Sequence, residues 1–160
     1  MKGSVLTARV EGLFDAVVSL AVIEHVTEVR AFARRLVELC RPGGLICVMT
    51  VNEASLLYDM ARGFRRVGFP LAFNRLYSLH HVNHFTVRSL GELLARQHLT
   101  PERVFMHNGL LAATDIPARS PLARGILRLG VGAIMALGWA CGRMYLQTAV
   151  YRKPVDDASL

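Results

Sequence analysis

A chain of 160 residues, 52% hydrophobic and 19% charged, is too apolar for disorder and long enough to close one hydrophobic core. Its formal charge of +7 comes from arginines, every basic residue but Lys2 and Lys153; they are scattered, without a lysine-rich run or interleaved aromatics, which argues against nucleic acid as a partner. Cys40, Cys47 and Cys141 are odd in number, lack CxxC spacing and sit among apolar neighbours, so they read as reduced core thiols of a cytoplasmic protein and exclude a disulfide frame or a zinc site.

Residues 1–12 show little periodicity and predict a loop or strand end, and Asp15 interrupts the first apolar run, which argues against a secretory leader. Phe14 to Leu20 predicts a strand buried on both faces. Thr27 is the expected cap of a helix carried by Val29, Phe32, Ala33, Leu36, Val37 and Cys40 at helical spacing. Pro42, Gly43 and Gly44 stop it, and Leu45 to Val51 returns as a second strand; a crossover of this length lets the two strands lie parallel.

Asn52 reads as a cap for a helix on Leu56, Leu57, Met60, Ala61, Phe64 and Val67 that ends at Gly68, and residues 69–85 read as an irregular functional loop. Thr86 caps a helix carried by Leu90, Leu93 and Leu94, and residues 103–107 predict a strand. Ser120 and Pro121 open a long apolar helix, residues 146–151 form a last strand, and 154–160 is a polar tail. The expected class is α/β, in order strand, helix, strand, helix, helix, strand, helix, strand.

His80, His81 and His84, with Tyr77 and Asn83, form the densest group of titratable and polar side chains. A neutral imidazole can take a proton from a hydroxyl nucleophile, so the three histidines are candidate catalytic bases, and Tyr77, Asn83 and Asn52 candidate substrate contacts. The competing reading is a structural cluster that fixes the helix opening at Thr86. From Leu129 to Gly142 the chain carries no charge, too short a run to cross a bilayer unless the flanking arginines snorkel. A surface or tunnel helix for a greasy acceptor, peripheral at the inner membrane face, stands beside a buried or dimer-forming helix in which Gly138 and Gly142 allow close packing.

The segments FDAVVSLAVIEHV (14–26) and RPGGLICVMTVN (41–52) resemble the fourth strand, following helix and fifth strand of class I S-adenosylmethionine-dependent methyltransferases. HHVNHFTVRSLGELLARQHLTPERVF (80–105) and TAVYRKP (148–154) are similar to the same family, particularly its ubiquinone-biosynthesis O-methyltransferase branch. The resemblance implies a partial Rossmann-like sheet, strands four to seven with the last antiparallel, and S-adenosylmethionine as cofactor. It places Ser19, Leu20 and Ala21 along the methionine and sulfonium part of that cofactor, and Ser4 and Val5 near its adenine, Ser4 standing where the family has an acid.

The glycine-rich turn and ribose-binding acid of the family's first two strands have no counterpart, since Gly130 and Gly132 fall inside the apolar helix. Residues 1–153 are therefore expected to be the C-terminal half of a methyltransferase domain with an apolar helical insertion at about 121–143. Its cofactor site would be incomplete and the chain inactive alone, unless a missing half or a second copy completes it. Some relatives carry an ExxEH motif that holds a divalent ion; here it reads Ala21 to His25, and Glu24, His25 and His84 would make an incomplete metal site. Against that, Glu24 and His25 would simply anchor their loop by hydrogen bonds. The function implied is methyl transfer to a small lipophilic acceptor; the alternative is a non-catalytic or membrane-associated interaction fragment that retains half the fold.

Overall fold

The computed structural model describes residues 4–78, 80–111 and 120–155. Strand β1 (Phe14–Leu20) lies parallel to β2 (Cys40–Val51), with Val17 opposite Ile46 and Val18 opposite Cys47. The crossover between them is α1 (Val29–Leu39), as its apolar spacing predicts, except that Cys40 and the Pro42 to Gly44 segment already belong to β2. Its N-cap is Glu28, without a side-chain cap bond, and not Thr27. At the Pro42 to Gly44 turn the β1–β2 pairing shifts register. Gly43 has φ +75, and a Cβ on Gly44 would stand 2.7 Å from the Cys40 sulfur and 2.9 Å from the Asp15 carbonyl, so both positions require glycine for backbone reasons.

After β2 come α2 (Leu56–Arg66), α3 (Leu71–Leu76), α4 (Val87–Ala95), β3 (Thr100–His107), α5 (Pro121–Ala140) and β4 (Leu146–Arg152). Helix α3 lies inside the stretch expected to be irregular. The sheet order is β1-β2-β4-β3, and β4 runs antiparallel to both of its neighbours, as expected. Thr86 caps α4 through a full capping box with Ser89, and Ser120 accepts from the Ala123 amide at the start of α5.

The core lies on one face of the sheet. Ile46, Val48, Ala149 and Tyr151 meet Phe32 and Leu36 of α1 and Leu90 and Leu94 of α4, all buried. Each of the leucine, isoleucine, valine and phenylalanine side chains among them contributes about 2 kcal/mol on leaving water. On the other face Cys47, Met49 and Val150 are only half-buried, and Val18 is 58% and Phe105 42% exposed. Strand β1 is the sheet's outer strand, so of its residues Ser19 alone is buried; a covering on both faces is not what these residues have.

Helix α2 buries Tyr58 and Ala61 and half-buries Leu56 and Leu57, whereas Met60, Phe64 and, just past its end, Val67 are exposed, so half of the apolar set read from the sequence is not inward. It ends in a left-handed glycine motif: Gly68 has φ +91, its amide donates to Arg65 and that of Phe69 to Phe64. Helix α5 ends in the same way. Gly142 has φ +68, its amide donates to Trp139 and that of Arg143 to Gly138. Gly138 and Gly142 thus serve the helix end; a Cβ on Gly138 would meet the Arg143 carbonyl at 2.8 Å. Of the cysteines, Cys40 is buried and Cys47 half-buried, but Cys141 is exposed beyond the last turn of α5 and is no core thiol.

Candidate functional site

Open α/β sheets bind ligands beyond the carboxyl ends of their parallel strands. There β1 ends in Ser19, buried with its hydroxyl unpaired, and Leu20, more than half exposed. Ala21 follows at φ 51, in the left-handed region that few side chains adopt, while its amide donates to the Met49 carbonyl at 3.0 Å. That sharp exit throws the chain into the short 3-10 turn Ile23–His25. Ile23 enters the core, and Glu24 is left 2% exposed, its Oε2 accepting from Thr50 Oγ1 at 2.9 Å.

The loop before α4 closes over this turn. The Asn83 amide donates to the Glu24 carbonyl at 3.1 Å, and its side chain donates to the carbonyls of Val26 at 2.6 Å and Ile23 at 3.3 Å. His81 is thereby brought to His25, ring centroids 4.8 Å apart. Ligand atoms of Glu24, His25 and His81 lie within 4.8 Å of one another. His25 Nδ1 faces the His80 carbonyl at 2.6 Å and His81 Nδ1 the Leu76 carbonyl at 3.3 Å. With Nδ1 of both rings donating to backbone, each Nε2 keeps its lone pair for a proton or an ion, the arrangement that orients imidazole ligands.

Of the other histidines, His80 is exposed and enters through its carbonyl. His84 turns its Nε2 toward the Leu76 carbonyl at 3.5 Å and packs on Tyr77 at 4.6 Å; it stands outside the Glu24, His25 and His81 group.

Tyr77 Oη donates to Glu53 at 3.0 Å and accepts from Arg62 at 2.7 Å. Burial pushes the Tyr77 phenol up, Arg62 opposing and Glu53 adding. Tyr58, fully buried against Tyr77, His84 and Tyr145, is held protonated first by burial, then by Tyr145 and Tyr77, with Glu53 and Glu24 adding. Asp59 joins this network to the end of α5 by pairing with both Arg62 and Arg143. The hydrogen bond from Arg143 holds its carboxyl below the usual 3.8; burial opposes, and the bond from Arg62 adds to the lowering.

Asn52 is 1% exposed, and its side chain is taken up by the Met144 carbonyl at 3.1 Å and the Ala54 amide at 3.1 Å. It also lines a cavity of about 310 Å³ with Thr86, Val87, Met106 and Arg143. Ser4 and Val5 are tied to a tight turn and to α1, where Arg35 donates to the Val5 carbonyl at 3.2 Å. Thr50, Tyr58 and Tyr145 escaped the sequence reading: a threonine inside a strand and tyrosines at helical or loop positions look like any others until the turn at Ala21 sets Glu24 among them.

The profile of a methyltransferase domain family matches residues 5–104. Among curated proteins the chain is similar to the ubiquinone biosynthesis O-methyltransferase of Rhodopseudomonas palustris, 51% identical over 40 residues, which are 25% of this chain and 16% of that one. Among solved structures it is similar to a SAM-dependent methyltransferase, possible histamine N-methyltransferase, of Thermotoga maritima (TM-score 0.58, 13% identity, 96% of this chain and 62% of that chain). It is also similar to a SAM-dependent methyltransferase of Archaeoglobus fulgidus (TM-score 0.52, 12% identity, 88% and 60%). At such identities the structures establish the fold alone, and the chain spans less than two thirds of each relative's length. The profile covers well over half of the residues, and the strand order and antiparallel last strand agree with it: the chain belongs to the class I S-adenosylmethionine-dependent methyltransferase family.

Proposed function

We propose that this chain takes part in S-adenosylmethionine-dependent methyl transfer to a hydroxyl or amine of a small, lipophilic acceptor. The observation that carries the reading is the meeting of Ser19 to Ala21, Glu24, His25 and His81 at the carboxyl ends of the two parallel strands. The cofactor, when bound, would supply an electrophilic methyl group on its sulfonium. The share of this chain is to line that methyl with Ser19, Leu20 and Ala21 and to receive the acceptor's proton on His81 Nε2, whose opposite nitrogen is tied to Leu76.

The open edge of β1 and the uncovered face holding Val18 and Phe105 support a further part of this reading. More strands lie alongside β1 in the working enzyme, from a longer form of the chain, a separate one or a second copy, and these complete the cofactor pocket. Calorimetric titration of S-adenosylhomocysteine into the 160-residue chain is expected to give nothing tighter than about millimolar. Micromolar binding would overturn the shared pocket. In the completed enzyme, mass spectrometry should find a methylated product that is lost with His81→Ala; an enzyme that binds the cofactor yet methylates equally well with that variant would overturn the role of His81.

The free Nε2 atoms of His25 and His81 beside Glu24 favour a second reading, a divalent ion held by these three residues, which fit one as a mixed oxygen and nitrogen donor set. Titration with cobalt(II) should then give a visible absorption band that His81→Ala abolishes; an unchanged spectrum would remove the ion.

A further inference from the structure

Helix α5 is the most apolar helix among the described residues, and it lies almost bare. Leu122 is 75% exposed, Ile126 61%, Leu129 77% and Leu137 61%. With Ala133, also exposed, they stand at i, i+4, i+7, i+11 and i+15, so they form one continuous apolar stripe along the outer side of the helix. Only Met135 and Gly138 of the helix are buried, at its carboxyl-terminal half. Twenty residues and about 30 Å would suit a membrane crossing by length. The helix end excludes that geometry: its Arg143 carbonyl accepts from the Leu56 amide at 3.0 Å, and the Asn108 side chain donates to the Met135 carbonyl at 3.0 Å, so the carboxyl-terminal half is tied down on the domain.

The charge on the helix itself has one sign. Within α5 the charged residues are Arg124 and Arg128, with no carboxylate, whereas Arg143 and Arg152 beyond it are paired with Asp59 and Glu102. Helix α2, which packs on α5, adds Arg65 and Arg66 at its end, while its Arg62 is paired with Asp59. Exposed Phe64, Val67, Phe69 and Leu71 accompany them. An exposed apolar stripe on a helix whose charges are all arginine, with Arg65 and Arg66 of α2 beside it, matches a surface that offers acyl chains below a layer of negative headgroups. A second copy of this chain would bring arginine against arginine.

We infer that α5 is an interfacial helix that docks this domain on an anionic membrane, with Leu122, Ile126, Leu129 and Leu137 entering the headgroup region and Arg65, Arg66 and Arg128 pairing with lipid phosphate. The inference does not depend on the reaction proposed above.

Trp139 is the chain's single tryptophan, 69% exposed in the last turn of α5, and it reports the event directly. The whole chain is mixed with vesicles of phosphatidylcholine alone or of phosphatidylcholine with phosphatidylglycerol, and read by tryptophan emission and by co-sedimentation. The expected result is a blue shift and pelleting with the anionic vesicles at low salt, both weakened about tenfold or more at high salt or with neutral vesicles. The double variant Ile126→Glu/Leu129→Glu changes only exposed positions and should lower the partition by at least about tenfold at unchanged circular dichroism. Should that variant lose its fold, the salt and lipid series on the unaltered chain decides alone. Absence of pelleting with anionic vesicles at low salt overturns the inference. So does a blue shift that follows protein concentration without lipid, which would mean that a second copy covers the stripe.

Discussion

The hydroxyl of Thr50 meets a carboxylate with almost no access to water, since Thr50 is 0% and Glu24 2% exposed. Thr50→Val keeps the shape and withdraws the donor, so it should destabilise the fold by about 1–3 kcal/mol in denaturant unfolding. Asp59 works the other way, as a carboxylate whose proton affinity is lowered in the folded state, Arg143 contributing most. A lowered folded value means stability that is complete above the ordinary 3.8 and is lost as pH falls below it. Asp59→Asn should therefore unfold with a shallower acid dependence below that pH, and an acid-unfolding curve parallel to the unaltered protein's would contradict it. Neither effect was legible in the residues alone. Nothing near Glu24 in sequence announces Thr50, and Arg143 lies 84 positions from Asp59.

At the scale of elements the sequence read well wherever local chemistry decides the outcome. The capping box at Thr86 is one such case, and Thr86→Ala should cost about 1 kcal/mol of stability. The double-glycine turn after Pro42 is another, because a left-handed φ and a close backbone approach leave no choice of residue. What misled was burial. The apolar residues of α2 promised an inward face at Met60, Phe64 and Val67, yet the helix turns Tyr58 inward, where its hydroxyl donates to the Leu76 carbonyl at 3.3 Å. Helix α3 went unseen because Leu71–Leu76 is too short for periodicity to register.

For the whole molecule, the parallel pairing of β1 with β2 followed from the length of the crossover, and the antiparallel last strand from the family resemblance. The bareness of β1 did not follow from its composition, because an apolar run looks the same on an outer strand as on an inner one. Leu13, Phe14, Val18 and Leu20 are all more than two fifths exposed along or beside that edge, which is the kind of surface that pairs with another strand. The isolated chain should accordingly associate with rising concentration in sedimentation velocity, and Val18→Lys with Leu20→Lys should suppress the larger species. Monomeric behaviour of the unaltered chain at all concentrations would show that the edge is protected.

The Leu76 carbonyl is approached by three groups at once: the Tyr58 hydroxyl and His81 Nδ1 at 3.3 Å, and His84 Nε2 at 3.5 Å. A carbonyl oxygen has only two lone pairs. One suitor is always left over, and the longest of the three approaches makes it His84. That surplus leaves His84 held by its packing on Tyr58 and Tyr77 rather than by the shared oxygen.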